Sequence, residues 1–159
     1  MDHKNRKLNI TLFCIYCAMM LWLLFHRTGG IEGMPYWDQI HANLNLRPFH
    51  TIRLFLHVIT RPDYGNSALV NLGGNVFLFI PLGFLLPRVF PRLQSLAKTL
   101  LCTAVIILCV EILQLFTLLG YCDIDDLILN TLGSAIGYSL HRSTHRIRQK
   151  QPGSTMFFL

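Results

Sequence analysis

Charge is scarce in this chain. Only 22 of its 159 residues are Asp, Glu, Lys or Arg, or 14%, where a soluble domain carries about 25%. That shortage argues against an ordinary soluble globular fold. Disorder is excluded as well, because apolar residues make up 52% of the chain. Five cysteines in so apolar a sequence do not make a disulfide framework. The chain also lacks H-E-x-x-H, G-x-S-x-G, a Walker loop and any zinc-ligand spacing. His26, His41, His50 and His57 lie without ligand spacing, so neither a metal nor a cofactor is expected. Cys14 and Cys17 spell C-x-x-C inside an apolar run, where a core role is expected over a redox one.

The apolar residues come in four blocks. Leu8 to Phe25 carries no charge and is long enough to span a bilayer. Lys4, Arg6 and Lys7 precede it, as in a signal peptide, but no small-x-small cleavage site follows, so a retained anchor is expected. The second block, about 70–90, holds Gly73, Gly74, Pro81, Gly83 and Pro87, which membrane helices tolerate. The third, about 99–119, is broken only by Glu111 and Gln114. The fourth, about 124–140, is the weakest and opens with Asp125 and Asp126. The expected fold is an all-α integral membrane protein with four transmembrane helices. Residues 27–69 form a long outer loop, residues 141–159 a basic cytoplasmic tail, and the chain 1–159 a single domain.

Basic residues orient the chain. Lys4, Arg6, Lys7, Arg88, Arg92, Lys98, Arg142, Arg146, Arg148 and Lys150 fall in the termini and the second connection. Arg27, Arg47, Arg53 and Arg61 fall in the long loop. The positive-inside rule therefore places both termini in the cytoplasm. The acids go the other way: Glu32, Asp38, Asp63, Asp123, Asp125 and Asp126 gather on the outer side. The basic tail reads as an anchor on anionic lipid, with no nucleic-acid motif beside it.

Within the long loop, His50, Arg53, His57 and Arg61 fall within about 80° of one another at ~100° per residue. Phe49, Ile52, Phe55, Leu56 and Ile59 take the opposite side. This predicts an amphipathic interfacial helix with Pro48 at its first position. Arg47, His50, Arg53 and His57 would then serve either as a lid over a pocket or as a solvated face.

Glu111 carries the strongest signal, since a charge inside a span costs roughly 2.5–3.5 kcal/mol on insertion scales. It lies eight residues from Leu119, about 12 Å below the end of its helix at 1.5 Å per residue. Gln114 follows it by one turn. Asn71 and Asn75 share a face of the second block, and Asp123, Asp126 and Asn130 share a face of the fourth. All sit at comparable depth, and the inner halves of the helices carry no polar side chain except at the flank. Asn75, Glu111, Gln114, Asp123, Asp126 and Asn130 are therefore expected to form one inward-facing site open to the outer leaflet, with Asp123 on its rim. Glu111 and Asp126 are the candidates for acid–base work, proton sharing or cation binding, and the sequence does not choose among these. Gly133 and Gly137 form a G-x-x-x-G, a signature of close helix packing.

Three stretches resemble the VanZ-like family of small bacterial membrane proteins. They are Asn45-Leu46-Arg47-Pro48-Phe49, then Gly74-Asn75-Val76-Phe77-Leu78-Phe79-Ile80-Pro81-Leu82-Gly83, then Glu111-Ile112-Leu113-Gln114 followed by Asp123-Ile124-Asp125-Asp126 and Asn130-Thr131-Leu132-Gly133. Order and spacing agree from about Asn45 to Tyr138. Many relatives carry an Arg shortly before the first Asp of the third stretch, and Gly120-Tyr121-Cys122 has none. The resemblance implies a four-helix protein of the bacterial cell membrane. The family's namesake is associated with resistance to teicoplanin, a glycopeptide acting on cell-wall precursors at the outer face.

Three functions are open on this reading. The first is non-covalent binding of a lipid headgroup, cell-wall precursor or glycopeptide at the polar site. The second is acid–base catalysis on a lipid-linked substrate, and the third is a small proton- or cation-coupled carrier. Membrane lipids are the expected partners, and a carrier of four helices would need to form a homo-oligomer.

Overall fold

A computed structural model describes residues 3–25, 31–61, 63 and 65–150. His26, Arg27 and the end of the tail from 151 onward lie outside the described residues. The elements run α1 (His3–Phe25), α2 (Tyr36–Ala42), β1 (Leu44–Asn45), α3 (His50–Val58), α4 (Gly65–Val89), α5 (Leu96–Thr117), β2 (Cys122–Asp123) and α6 (Ile124–Lys150). A 3-10 turn over Pro91–Leu93 joins α4 to α5.

Three of these helices are long and apolar enough to cross a membrane: Arg6–Leu23 within α1, then α4 and α5. The 25 residues of α4 reach about 38 Å at 1.5 Å per residue. Pro81 and Pro87 lie inside it without ending it. The 27 residues of α6 are long enough as well, but its acids, amides and basic tail keep it off the apolar set.

Helix α5 is built inside out relative to a helix of a soluble protein. On α5 the buried face is Thr99, Thr103, Ile107, Glu111 and Gln114, which recur every third or fourth residue. Its exposed face carries Leu101, Val105, Leu108, Ile112 and Phe116. Its outward side chains are apolar, while hydroxyl, amide and carboxylate groups join Ile107 and Leu115 on the inward face. Lipid, not water, is the solvent that pattern suits.

At the centre of the bundle, α4 and α6 pack on each other more extensively than any other pair. Glycine makes that approach possible. A Cβ on Gly133 would lie 2.1 Å from the Val76 carbonyl oxygen, and one on Gly137 would lie 2.0 Å from that of Ile80. The G-x-x-x-G is thus a packing seam, as its spacing predicts. The ascending pairs Val76 with Gly133 and Ile80 with Gly137 make α4 and α6 parallel. The Thr103 and Ser134 hydroxyls, 2.8 Å apart, register α5 against α6. Together with Glu111 meeting Asp123, that pair makes α5 and α6 antiparallel.

Tyr16 and Met20 of α1 join Phe79, Leu82, Leu85 and Leu86 of α4 and Ile107 of α5 in the apolar core. The Tyr16 hydroxyl donates to the Leu78 carbonyl at 2.8 Å. At the tail end, Arg88 donates to His141 Nδ1 at 3.2 Å and to Thr144 Oγ1 at 2.9 Å, and its guanidinium covers the Phe84 ring.

The structure departs from sequence expectation in three places. The helix of the long loop starts at His50, not at Pro48, because Phe49 takes a left-handed conformation (φ 62°) and turns the chain first. The fourth helix continues ten residues past Leu140 to Lys150, since Arg, Lys and Gln are good helix formers. The tail half of the bundle is not free of polar side chains: Thr99, Thr103 and Ser134 are fully buried there.

Candidate functional site

The polar side chains of the three motif stretches, from Asn45 and Asn75 to Glu111, Asp123, Asp125 and Asp126, meet at one end of the bundle, where α5 hands over to α6. The loop element β1 pairs in parallel with β2, Leu44 opposite Cys122 and Asn45 opposite Asp123. The Cys122 amide donates to the Asn43 carbonyl at 2.9 Å. Ile40, Leu115 and Cys122 pack beneath this ladder. Tyr36 ties α2 to the end of α5 by donating to the Phe116 carbonyl at 2.9 Å. The long loop is therefore pinned to the bundle.

Asp123 is a hub. One oxygen, Oδ2, accepts from Asn45 Nδ2 at 3.1 Å and from Thr51 Oγ1 at 2.5 Å. The other, Oδ1, accepts from the Asp125 amide at 2.9 Å, which caps the start of α6. The Asp123 amide in turn donates to Glu111 Oε2 at 3.0 Å. Glu111 is 6% exposed, and this backbone amide, just before α6, is the partner of its carboxyl group.

Asp125 has no exposure at all. Its two oxygens accept from the Phe49 amide at 2.5 Å and the Ile52 amide at 3.0 Å. Those are two of the amides that the start of α3 leaves without an intrahelical partner. Phe49 offers no side-chain cap, so α6 supplies the cap from across the fold. A carboxylate there also suits the positive end of the helix dipole.

Asp126, next in sequence, faces the other way, toward α4, and accepts from Asn75 Nδ2. Asn130 lies one turn further along α6 and Asn71 one turn earlier on α4. Each has a buried Oδ1 with no hydrogen-bond partner among the described residues. Asn130 is 4% exposed. Gln114 is buried on the α5 face above Glu111, with its side chain against Gly120.

Of the residues read from sequence, the structure brings Asn75, Glu111, Gln114, Asp123, Asp126 and Asn130 to one end of the α4–α5–α6 bundle. Arg47, Pro48, His50, Arg53 and His57 are exposed and reach none of the carboxylates. The loop helix touches the site through Thr51 and its own amides instead. Sequence reasoning missed Asn45, Thr51 and Asp125 as members of the network. A signal for Asn45 was present in the Asn45–Phe49 stretch, whereas the i+3 and i+4 spacing that singles out Asp126 says nothing of where Asp125 turns.

Cys122 is buried beside the cluster. Burial pushes its thiol pKa up, and the neighbouring Glu111 and Asp123 carboxylates push it the same way. It is therefore a poor nucleophile. Among the described residues no group of three His, Cys, Asp or Glu side chains is placed to hold a metal ion. A shallow groove of about 320 Å³, lined by Leu96, Tyr138, Ser139, Arg142 and Ser143, lies at the opposite, tail end.

Long helices that turn apolar faces outward around a buried carboxylate and amide network define a helical membrane protein with a polar site at one end of its bundle. Residues 13–145 match the family model described as VanZ/LLP1. The chain is also 30% identical over 150 residues to Protein VanZ of Enterococcus faecium, covering 93% of this chain and 83% of that protein. No solved structure matches it. The chain belongs to the VanZ-like family.

Proposed function

We propose that this chain is a multi-pass protein of the bacterial cytoplasmic membrane that binds a polar ligand at the outer leaflet. In this reading α1, α4, α5 and α6 all cross the bilayer and form one domain with the loop between α1 and α4. Both termini lie in the cytoplasm, and the carboxylate end of the bundle faces out. Ten basic residues on the termini and the α4–α5 connection support that orientation. The ligand is a lipid headgroup or a related cell-wall or glycopeptide component, and its binding contributes to teicoplanin-type resistance. Membership of the VanZ-like family supports the resistance role.

One observation carries the binding role. The rim half of the α4–α6 seam holds two buried amide oxygens with no partner among the described residues, at Asn71 and Asn130, and the same end of the bundle buries Glu111. Buried polar groups are as a rule hydrogen-bonded, so these two oxygens point to a partner outside the protein.

Binding, not covalent chemistry, is favoured because two of the four carboxylates are committed to structure. Asp123 and Asp125 hold β1, α3 and the start of α6. Complementation of a deletion strain tests the proposal. Glu111→Gln, which keeps shape and removes charge, is expected to lose the resistance phenotype and the associated ligand binding together. Binding that persists while the phenotype vanishes points instead to Glu111 and Asp126 as an acid–base pair. An extracellular C-terminal reporter contradicts the orientation.

A further inference from the structure

Helix α3 turns its basic side chains away from the protein. At ~100° per residue, His50, Arg53 and His57 share one face, with Leu54 on one side of them and Leu56 on the other. All five are exposed, while Thr51, Ile52, Phe55 and Val58 on the opposite face are half-buried. That inner face packs on α4 and α6. An ordinary interfacial helix sinks its apolar face into lipid. Here the protein occupies that face, and a basic stripe edged by leucine looks outward.

The stripe is held at a fixed height. The Phe49 and Ile52 amides donate to Asp125 and the Thr51 hydroxyl donates to Asp123, so α3 lies level with the start of α6. Beyond its end, the Gly65 amide donates to the Arg61 carbonyl at 2.8 Å, which ties it to the start of α4. The second turn of α4 exposes Leu69 and Val70, an apolar surface for acyl chains at that end. The end of α5 is covered by α2 instead. With α4 and α6 read as spans, α3 sits beside them where headgroups meet the bundle.

Nothing in the protein neutralises the stripe. Helix α3 contains no acid, and among the described residues His50, Arg53 and His57 make no side-chain hydrogen bond or ion pair. The rim carboxylates are engaged elsewhere: Asp123 and Asp125 on amides, Asn45 and Thr51, Asp126 on Asn75, and Glu111 on the Asp123 amide. A guanidinium and two imidazoles offer N–H donors, which suit an anion with several acceptor oxygens. Leu54 and Leu56, 53% and 56% exposed, suit an apolar neighbour beside it. A phospholipid supplies both at once, whereas a soluble anion supplies only the first. We propose that α3 seats the phosphate of an anionic phospholipid between His50, Arg53 and His57, with Leu54 and Leu56 against the upper acyl chains. This contact shares no residue with the polar seam, so it stands or falls apart from the binding role proposed above.

The test uses the full chain in nanodiscs of equimolar phosphatidylglycerol and phosphatidylcholine, with a photo-reactive benzophenone amino acid in place of Leu54. Illumination is expected to capture phosphatidylglycerol over phosphatidylcholine by about fivefold, the preference one basic side chain gives near a membrane surface. The same probe in place of Leu108, exposed midway along α5, is expected to capture the two lipids equally. Combining His50→Gln, Arg53→Gln and His57→Gln should bring the ratio at position 54 to about one. Arg53→Glu should turn it in favour of phosphatidylcholine. Tm should hold in both variants, since exposed side chains without partners add little to stability.

Capture at position 108 without capture at 54 overturns the proposal, because the stripe then faces water. Equal capture of the two lipids at 54 overturns it, as does a preference that survives both sets of substitutions. Glu111→Gln is expected to leave the preference unchanged. Its loss in that variant, at unchanged Tm, would place the phosphate in the seam and overturn the assignment to α3.

Discussion

The two halves of the α4–α5–α6 bundle use polar side chains differently. In the tail half every buried hydroxyl among the described residues has a partner within the protein. Thr103 and Ser134 bond to each other, Thr99 donates to the Leu93 carbonyl at 2.6 Å, and Tyr138 donates to the Gln94 carbonyl at 2.7 Å. In the rim half, Asn71 and Asn130 have buried oxygens with no partner among the described residues, and buried Glu111 accepts from the Asp123 backbone amide. Polar groups that serve the fold are closed by the fold. Groups left open by the fold are the ones the binding proposal draws on.

The rim half is itself divided. Asp123 and Asp125 behave like the tail-half hydroxyls, because backbone amides and neutral side chains close them. Asp125→Ala should give the largest effect of any single change considered, since it strips two amides at the start of α3 of their acceptor inside a fully buried site. The expected loss is about 3 kcal/mol, read as a drop in Tm in detergent and as protease sensitivity between 44 and 58. A loss near zero would mean that α3 holds its place without α6.

Gly137→Ala comes next. Its Cβ would press on the Ile80 carbonyl oxygen, a backbone atom that cannot swing away, so the α4–α6 seam must open. About 2 kcal/mol is expected from overpacking of this kind. Thr103→Val should cost less, about 1 kcal/mol, because hydrogen bonds between membrane helices are modest. Adding Ser134→Ala should then cost little more, since the second partner is already idle. A double variant whose loss is the full sum of the singles would show that the two hydroxyls do not form a closed pair. The smallest effect concerns Cys122. Its buried thiol, raised in pKa by burial first and by Glu111 and Asp123 next, should resist maleimide at pH 7 and react mainly on unfolding. Rapid labelling of the native protein would place it on an open surface.

Much of the site was legible because helix spacing is short-ranged. Asn71 with Asn75, Glu111 with Gln114, and Asp126 with Asn130 each share a face by i+3 or i+4 arithmetic, and burial of Glu111 had to be compensated somewhere. The glycine seam was legible for the same reason. What was not legible depends on contacts distant in sequence. Nothing local says that Leu44 and Asn45 pair with Cys122 and Asp123, or that Asp125 caps a helix more than seventy residues away. Spacing puts Asp126 on the inward face, but it gives no sign that the adjacent Asp125 turns toward α3. The left-handed Phe49 was hidden because Pro48 before it is a good helix opener, and a bulky residue at positive φ is rare enough not to be expected. The closed pair of Thr103 and Ser134 was hidden because hydroxyls hardly interrupt an apolar run.

The contrast between closed and open polar groups is tested most directly by measuring Tm and phenotype together for Glu111→Gln. The account predicts a melting temperature within about 1 kcal/mol equivalent of wild type or above it, with the phenotype lost. A variant that melts far below wild type, or one that keeps both stability and phenotype, would contradict it: the first makes Glu111 a structural residue, and the second leaves the rim cluster without a function.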